Sequence, residues 1–187
     1  MASTDNNPWT ILDQRVTYDN PWIRVDEYQV RQPRGGHGIY GVVHFKNKAI
    51  GIVALDEAGC IYLVGQYRFP LGRYSWEIPE GGGPEGEDPL ETAQRELLEE
   101  TGLVAEHWEV LLQMDVSNSV SDETCVVYLA RGLSQHKAHP EDTEVLAIKK
   151  LPFETALAQT LKGEITDSIT VAALLKLGHQ MNENKTK

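Results

Sequence analysis

The chain has 187 residues, 41% of them hydrophobic, which suits one core-forming domain with at most a small appendage. Its formal net charge is −11, which argues against long nucleic acid as a partner, because polyanion binders are basic. No run approaches the ~18 apolar residues that a membrane span needs, so no membrane association is expected. The first eight residues, Met1-Ala2-Ser3-Thr4-Asp5-Asn6-Asn7-Pro8, have no basic start and no apolar stretch, so no signal peptide is expected. Cys60 and Cys125 then read as two reduced, core-facing thiols, and the expected compartment is the cytoplasm. If the substrate is a phosphate ester, an acidic protein needs something to offset the repulsion. Metal held by clustered carboxylates would do so. Plain solubility is the other reading of the charge.

Short alternating stretches over residues 9–32, among them Trp22-Ile23-Arg24-Val25-Asp26-Glu27-Tyr28-Gln29-Val30, predict strands. A turn is expected over Gln32 to Gly38, then strands over Tyr40 to Phe45, Ala49 to Leu55 and Cys60 to Gln66. Residues 70–89 are rich in glycine and proline and read as a loop. A helix follows: Asp88 is a good N-cap with Pro89 in the first turn, and Gly102 is a good stop. Strands are expected over Val110 to Val116, Thr124 to Ala130 and Glu144 to Leu151, with a polar loop over 131–143. Helical patterning covers Phe153 to Leu161 and Ser168 to Leu177, and the tail from Asn182 is expected to fray. Mixed strands with helices midway and late predict an α/β sandwich with an extra N-terminal sheet.

The informative stretch runs from Gly81 to Leu103, GGGPEGEDPLETAQRELLEETGL. On its helix Leu90, Ala93 and Leu97 can face a core. Glu96, Glu99 and Glu100 stand at i, i+3 and i+4, and at about 100° per residue they share one arc. Three carboxylates there repel one another, a cost the helix can bear if cations occupy the face. Arg95 can pair with one of them and orient it. Hard oxygen ligands suit Mg²⁺ or Mn²⁺. A solvated acidic face is the alternative reading of the same residues.

Gly81, five residues, Glu87, seven residues, then Arg95-Glu96-Leu97, one residue, Glu99-Glu100, one residue and Gly102-Leu103 resembles the complete Nudix box. The resemblance implies a Nudix fold, an α/β/α sandwich around a mixed sheet, here with an N-terminal antiparallel β region. It implies Glu96 and Glu100 as the main metal ligands, Glu99 as the usual third and the Glu80 carbonyl as a further donor. Glu87 and Arg95 would support the loop and orient the ligands, and two or three Mg²⁺ ions would bind, with Mn²⁺ a substitute. Gln66-Tyr67-Arg68-Phe69-Pro70 and Trp76-Glu77-Ile78-Pro79-Glu80-Gly81-Gly82 look like the ADP-ribose pyrophosphatase and nucleoside-diphosphate-sugar hydrolase branch. Residues 1–45 would then form the N-terminal β region, serving dimerisation and substrate binding. Residues 46–180 would form the hydrolase domain, and 181–187 a flexible tail.

The branch resemblance assigns Arg68 to substrate phosphate, a role that suits a guanidinium. A surface salt bridge is its plainer reading. Tyr67 and Trp76 read first as core packing. Trp22 and Tyr28 can stack on a nucleobase, with core packing the plainer reading of both. A glutamate on the loop after the box would act as general base or extra ligand. Glu123 is the candidate and Asp122 its rival. ADP-ribose pyrophosphatases usually carry a proline about sixteen residues past the box, where this chain has Asn118-Ser119. A broader nucleoside-diphosphate-sugar hydrolase, yielding a nucleoside monophosphate and a sugar phosphate, therefore fits better than strict ADP-ribose specificity. The catalytic set implied is Arg95, Glu99, Glu100 and Glu123, in a homodimer. The rival readings are hydrolysis of dinucleoside polyphosphates or nucleoside triphosphates, and a non-catalytic ligand-binding regulator.

Overall fold

The structure is a computed structural model, and it describes residues 7–138 and 145–185. The described residues fall into two compact units, one within the bounds Met1–Asn47 and Ser117–Glu123, the other within Lys48–Val116 and Thr124–Lys187.

The first unit is an antiparallel sheet of β1 (Thr10–Asp19), β2 (Ile23–Arg31) and β3 (His37–Phe45), in the order β1-β2-β3. Asn20 turns the chain between β1 and β2: its Oδ1 accepts the amides of Trp22 at 2.9 Å and Ile23 at 2.7 Å. The next turn is tighter than the sequence suggested. Gly35, at φ +90°, closes it, and β3 has already begun at His37. Segment 117–123 is laced to β3 by Val43 N–H to Val120 O at 2.8 Å and Asp122 N–H to Val43 O at 3.3 Å. Every residue of β1 is exposed, including Ile11, Leu12, Val16 and Tyr18.

The second unit contains β4 (Asn47–Ala54), β5 (Cys60–Arg68), a 3-10 turn (Phe69–Leu71), β6 (Arg73–Glu77), β7 (Glu80–Pro84), α1 (Pro89–Thr101) and β8 (Leu103–Asp115). It continues through β9 (Thr124–Gln135), β10 (Ala147–Pro152), α2 (Phe153–Leu161) and α3 (Ser168–Lys185). One sheet runs β10-β5-β6 and the other β7-β4-β9-β8, with β4 and β9 parallel and β8 and β9 antiparallel. Strand β4 shows why helices flank the sheet on both faces. Ile50, Ile52 and Ala54 pack with Ala93 and Leu97 of α1, while Val53 packs with Phe153 of α2 and Ala173 and Leu174 of α3. The result is an α/β/α sandwich. Cys60 and Cys125 are not joined in a disulfide, and they are half-buried and buried respectively.

Four sequence expectations are corrected here. Residues 70–89 hold β6 and β7 rather than an unbroken loop. Strand β9 runs on to Gln135, through the start of the expected polar loop, whose residues 139–143 lie outside the described region, as does Glu144. Strand β8 begins at Leu103, straight after the helix, and a register shift between Val110 and Leu112 lets it continue. Helix α3 continues to Lys185, so 182–185 are helical where a frayed tail was expected, and 186–187 lie outside the described residues.

Candidate active site

Local chemistry sets the ends of α1. Asp88 Oδ1 accepts the Leu90 amide at 2.7 Å, Pro89 occupies the first turn, and Gly102 at φ +71° returns its N–H to Leu98 O at 2.9 Å. Thr92, Ala93, Leu97, Glu100 and Thr101 form the buried face. Glu100, 3% exposed, therefore points inward, whereas Glu96 and Glu99 lie toward the rim. A carboxylate that deep needs donors, and the Glu80 backbone N–H supplies one to Glu100 Oε2 at 3.1 Å.

Arg95 ties the rim together. Its Nη1 donates to Glu96 Oε1 at 2.8 Å and to Glu99 Oε2 at 3.0 Å, Nη2 reaches the Gly82 carbonyl at 3.4 Å, and Nε lies 3.7 Å from Glu87 Oε1. Glu87, Arg95, Glu96 and Glu99 thus form one connected charge group; spacing suggested an Arg95 pairing with one carboxylate, and only the family resemblance implied a part for Glu87. The first glycine of the motif has a steric reason. A Cβ on Gly81 would overlap the Glu96 carboxylate, and one on Gly83 would stand 2.7 Å from Thr92 Oγ1. Strand β7 is glycine-rich because its backbone lies directly on α1.

Behind this face lies a second polar group. Thr170 Oγ1 accepts the Ile78 N–H at 2.9 Å and donates to Glu80 Oε1 at 3.2 Å. Desolvation, with the neighbouring charge and hydrogen bond of Asp167, pushes the Glu80 carboxyl well above the usual carboxylate range. Arg68 Nε sits 3.0 Å from both carboxylate oxygens of buried Glu77, and its Nη2 also pairs with Oε2. The salt-bridge reading of Arg68 therefore describes part of its guanidinium, and its partner is buried. Thr170 was missed in the sequence, and Asp167 and Glu77 were given no role, although Glu77 lies in the Trp76 to Gly82 stretch that carries the branch resemblance.

The aromatic candidates separate. Trp22 and Tyr67 are 66% and 62% exposed, so neither packs a core as its plainer reading held. Tyr67 lies in a strand that runs out into the Phe69–Leu71 turn, past the end of the packed segment. Trp22 follows the Asn20 turn at a sheet end. Trp76 does pack on the core, with Lys149 Nζ 3.6 Å over its ring. Tyr28, half-buried, lines a cleft of about 270 Å³ in the first unit with Trp9, Ile11, Val30 and Tyr40.

Asp122 is bonded within that unit through both carboxylate oxygens. It bonds His44 Nδ1 at 2.5 Å and accepts the Phe45 amide at 3.1 Å. Burial raises its carboxyl, but the His44 bond and the Phe45 amide outweigh that and hold it below the ordinary range. The Glu123 carboxyl, by contrast, is pushed up by desolvation.

Among the described residues no three His, Cys, Asp or Glu side chains converge into a closed metal cage. The donor set nevertheless fits a small hard cation. Mg²⁺ commonly takes only one or two carboxylates and completes its shell with water and substrate phosphate. The absent Cβ at Gly81 leaves backbone and the Glu96 carboxylate in direct apposition, with all donors oxygen.

The NUDIX domain family matches residues 45–173, and the chain belongs to the Nudix family. It is a Nudix hydrolase, of a class that generally depends on divalent metal. Residues 9–43 match the nucleoside diphosphate sugar hydrolase N-terminal domain. The chain is 43% identical over 152 residues to an ADP-ribose pyrophosphatase of Mycobacterium tuberculosis, covering 79% of this chain and 72% of that one. It is 34% identical over 128 residues to an ADP-ribose pyrophosphatase of Bacillus subtilis, covering 67% and 69%. In fold it resembles a crystal structure described as ADP compounds hydrolase, with a TM-score of 0.85 at 20% identity over 97% of this chain and 98% of the other. Among the described residues no helix is long and apolar enough to cross a membrane.

Proposed function

We propose that this enzyme hydrolyses the diphosphate bond of nucleoside diphosphate sugars of the ADP-ribose, ADP-glucose or GDP-mannose type, releasing a nucleoside monophosphate and a sugar phosphate. The observation that carries the reading is the α1 carboxylate face: Glu96 against Gly81, Glu99 on Arg95 and Glu100 on the Glu80 amide. The match of the N-terminal sheet to the sugar-hydrolase N-terminal domain and the two ADP-ribose pyrophosphatase relatives support the substrate class. The Asn118-Ser119 sequence, where a proline is usual in ADP-ribose pyrophosphatases, favours a broader range than ADP-ribose alone.

Glu96, Glu99, Glu100 and the Glu80 carbonyl would hold Mg²⁺ or Mn²⁺, two to three ions. When bound, such ions neutralise charge at the diphosphate and acidify the attacking water. Arg95 keeps Glu96 and Glu99 oriented between turnovers. Glu123 takes the proton: its desolvated carboxyl is the more basic of the loop pair, and Asp122 is already committed to His44 and Phe45. Arg68 contacts phosphate through whatever part of its guanidinium Glu77 leaves open. The Tyr28, Trp9 and Tyr40 cleft, with exposed Trp22 in the same unit, offers ring faces for a nucleobase. The apolar residues exposed along β1 support a homodimer in which a second copy covers that strand. Cys60 and Cys125, not joined in any disulfide bond, suit a reducing compartment such as the cytoplasm.

The test is a panel of ADP-ribose, ADP-glucose, GDP-mannose and UDP-glucose with Mg²⁺ or Mn²⁺, and product identification. Nucleoside monophosphate plus sugar phosphate is expected. Turnover restricted to nucleoside triphosphates or dinucleoside polyphosphates, or none with any metal, would overturn the proposal.

A further inference from the structure

Three tethers hold the short turn Ile78-Pro79-Glu80, which leads from β6 into the first residue of β7. Pro79 O accepts the Ile52 amide of β4 at 2.9 Å. The Glu80 N–H binds Glu100 Oε2 of α1 at 3.1 Å. The third tether is Thr170 on α3, whose one hydroxyl accepts the Ile78 N–H and donates to Glu80 Oε1 at 2.9 and 3.2 Å. Thr170 is 0% exposed, and its own amide is fixed on Asp167 Oδ1 at 2.7 Å, the cap of the helix. A hydroxyl has one proton to give and lone pairs to receive. Here both capacities are aimed at the same three residues, ninety or more positions earlier in the chain.

We infer that Thr170 is a positioning residue for the metal-binding carboxylates: through the Ile78–Glu80 turn it sets where the Glu80 amide meets Glu100 and where Gly81 abuts Glu96. The inference rests on the reading of Glu96, Glu100 and the Glu80 carbonyl as cation donors. Without the hydroxyl, the Ile78 N–H loses its buried partner, the Glu80 carboxyl is left with its Asp167 hydrogen bond, and the turn can relax away from α1. The tethers at Ile52 and Glu100 hold only the backbone of the turn, so the Glu80 side chain then depends on its hydrogen bond with Asp167. Partners one step removed from a ligand commonly alter metal affinity or turnover by about 10- to 100-fold.

The experiment compares Thr170→Val, Thr170→Ser and Glu100→Gln in the full chain, measuring Mn²⁺ binding by calorimetry, melting temperature, and kcat and KM separately. Thr170→Val is expected to stay folded, bind Mn²⁺ about tenfold more weakly and lose kcat by a similar factor. KM should change little, and Thr170→Ser should restore both properties. Should Thr170→Val fail to fold, Thr170→Ala against Thr170→Ser gives the same comparison, since both are smaller than threonine and only one keeps the hydroxyl. Wild-type Mn²⁺ affinity in a folded hydroxyl-free variant, or equal losses in Thr170→Ser and the hydroxyl-free variant, would overturn the inference. A wild-type protein that binds no Mn²⁺, or a Glu100→Gln protein that binds it unchanged, would instead sink the underlying ligand assignment.

Discussion

Glu100 and Glu99 are adjacent in the chain and do different work. Helical rotation of about 100° turns Glu100 into the interior, where the Glu80 amide receives it, and leaves Glu99 at the rim with Arg95. Glu100→Gln preserves shape and one acceptor oxygen, so the fold should survive while kcat falls by about two orders of magnitude or more. Circular dichroism and a product assay on the same preparation check both halves; near wild-type turnover would remove Glu100 from the ligand set. Gly81→Ala drives a methyl into the Glu96 carboxylate and should cost roughly 1–3 kcal/mol by overpacking, with a larger loss of activity than Leu-to-Met changes in the core cause. Denaturant titration beside kinetics reads this. Glu123 gives a pH prediction. Desolvation raises its carboxyl, so it stays protonated to higher pH than an ordinary glutamate at ~4.3. Activity should rise with pH along an acid limb above that value, and Glu123→Gln should abolish the limb. A profile with the limb intact in Glu123→Gln would shift the role elsewhere.

At the scale of elements, α1 owes its boundaries to local residues and its usefulness to neighbours. Asp88→Ala removes the acceptor for the Leu90 amide and should cost about 1 kcal/mol, read as a shift in urea midpoint, with kcat nearly unchanged because the cap lies about two helical turns before Glu96. Asp88-Pro89 and Gly102 act within one turn, so the helix ends were legible in the chain alone. Strands β6 and β7 were not. Gly81, Gly82 and Gly83 have low strand propensity, and they are extended because α1 approaches too closely for any Cβ at Gly81 or Gly83. That approach is a tertiary event. The same holds for Trp22 and Tyr67. Their size suggests burial, and only the sheet ends on which they fall leave them exposed.

For the whole molecule, the fully exposed β1 makes an assembly prediction. Val16→Asp, placed among Ile11, Leu12 and Tyr18, should convert a dimer to a 20.9 kDa monomer in sedimentation. A wild-type protein already monomeric at micromolar concentration would overturn the homodimer.

The chain by itself determined the Nudix assignment, the ends of α1 and the arc shared by Glu96, Glu99 and Glu100, because these depend on spacing within a few helical turns. Tertiary structure decided which of those glutamates is buried, why Gly81 must lack a side chain, and that Thr170 reaches back to the Ile78–Glu80 turn. Hydrogen bonds between α3 and that turn join residues some ninety positions apart. No local periodicity records such a contact, since it exists only after the sheet has brought both segments to one place.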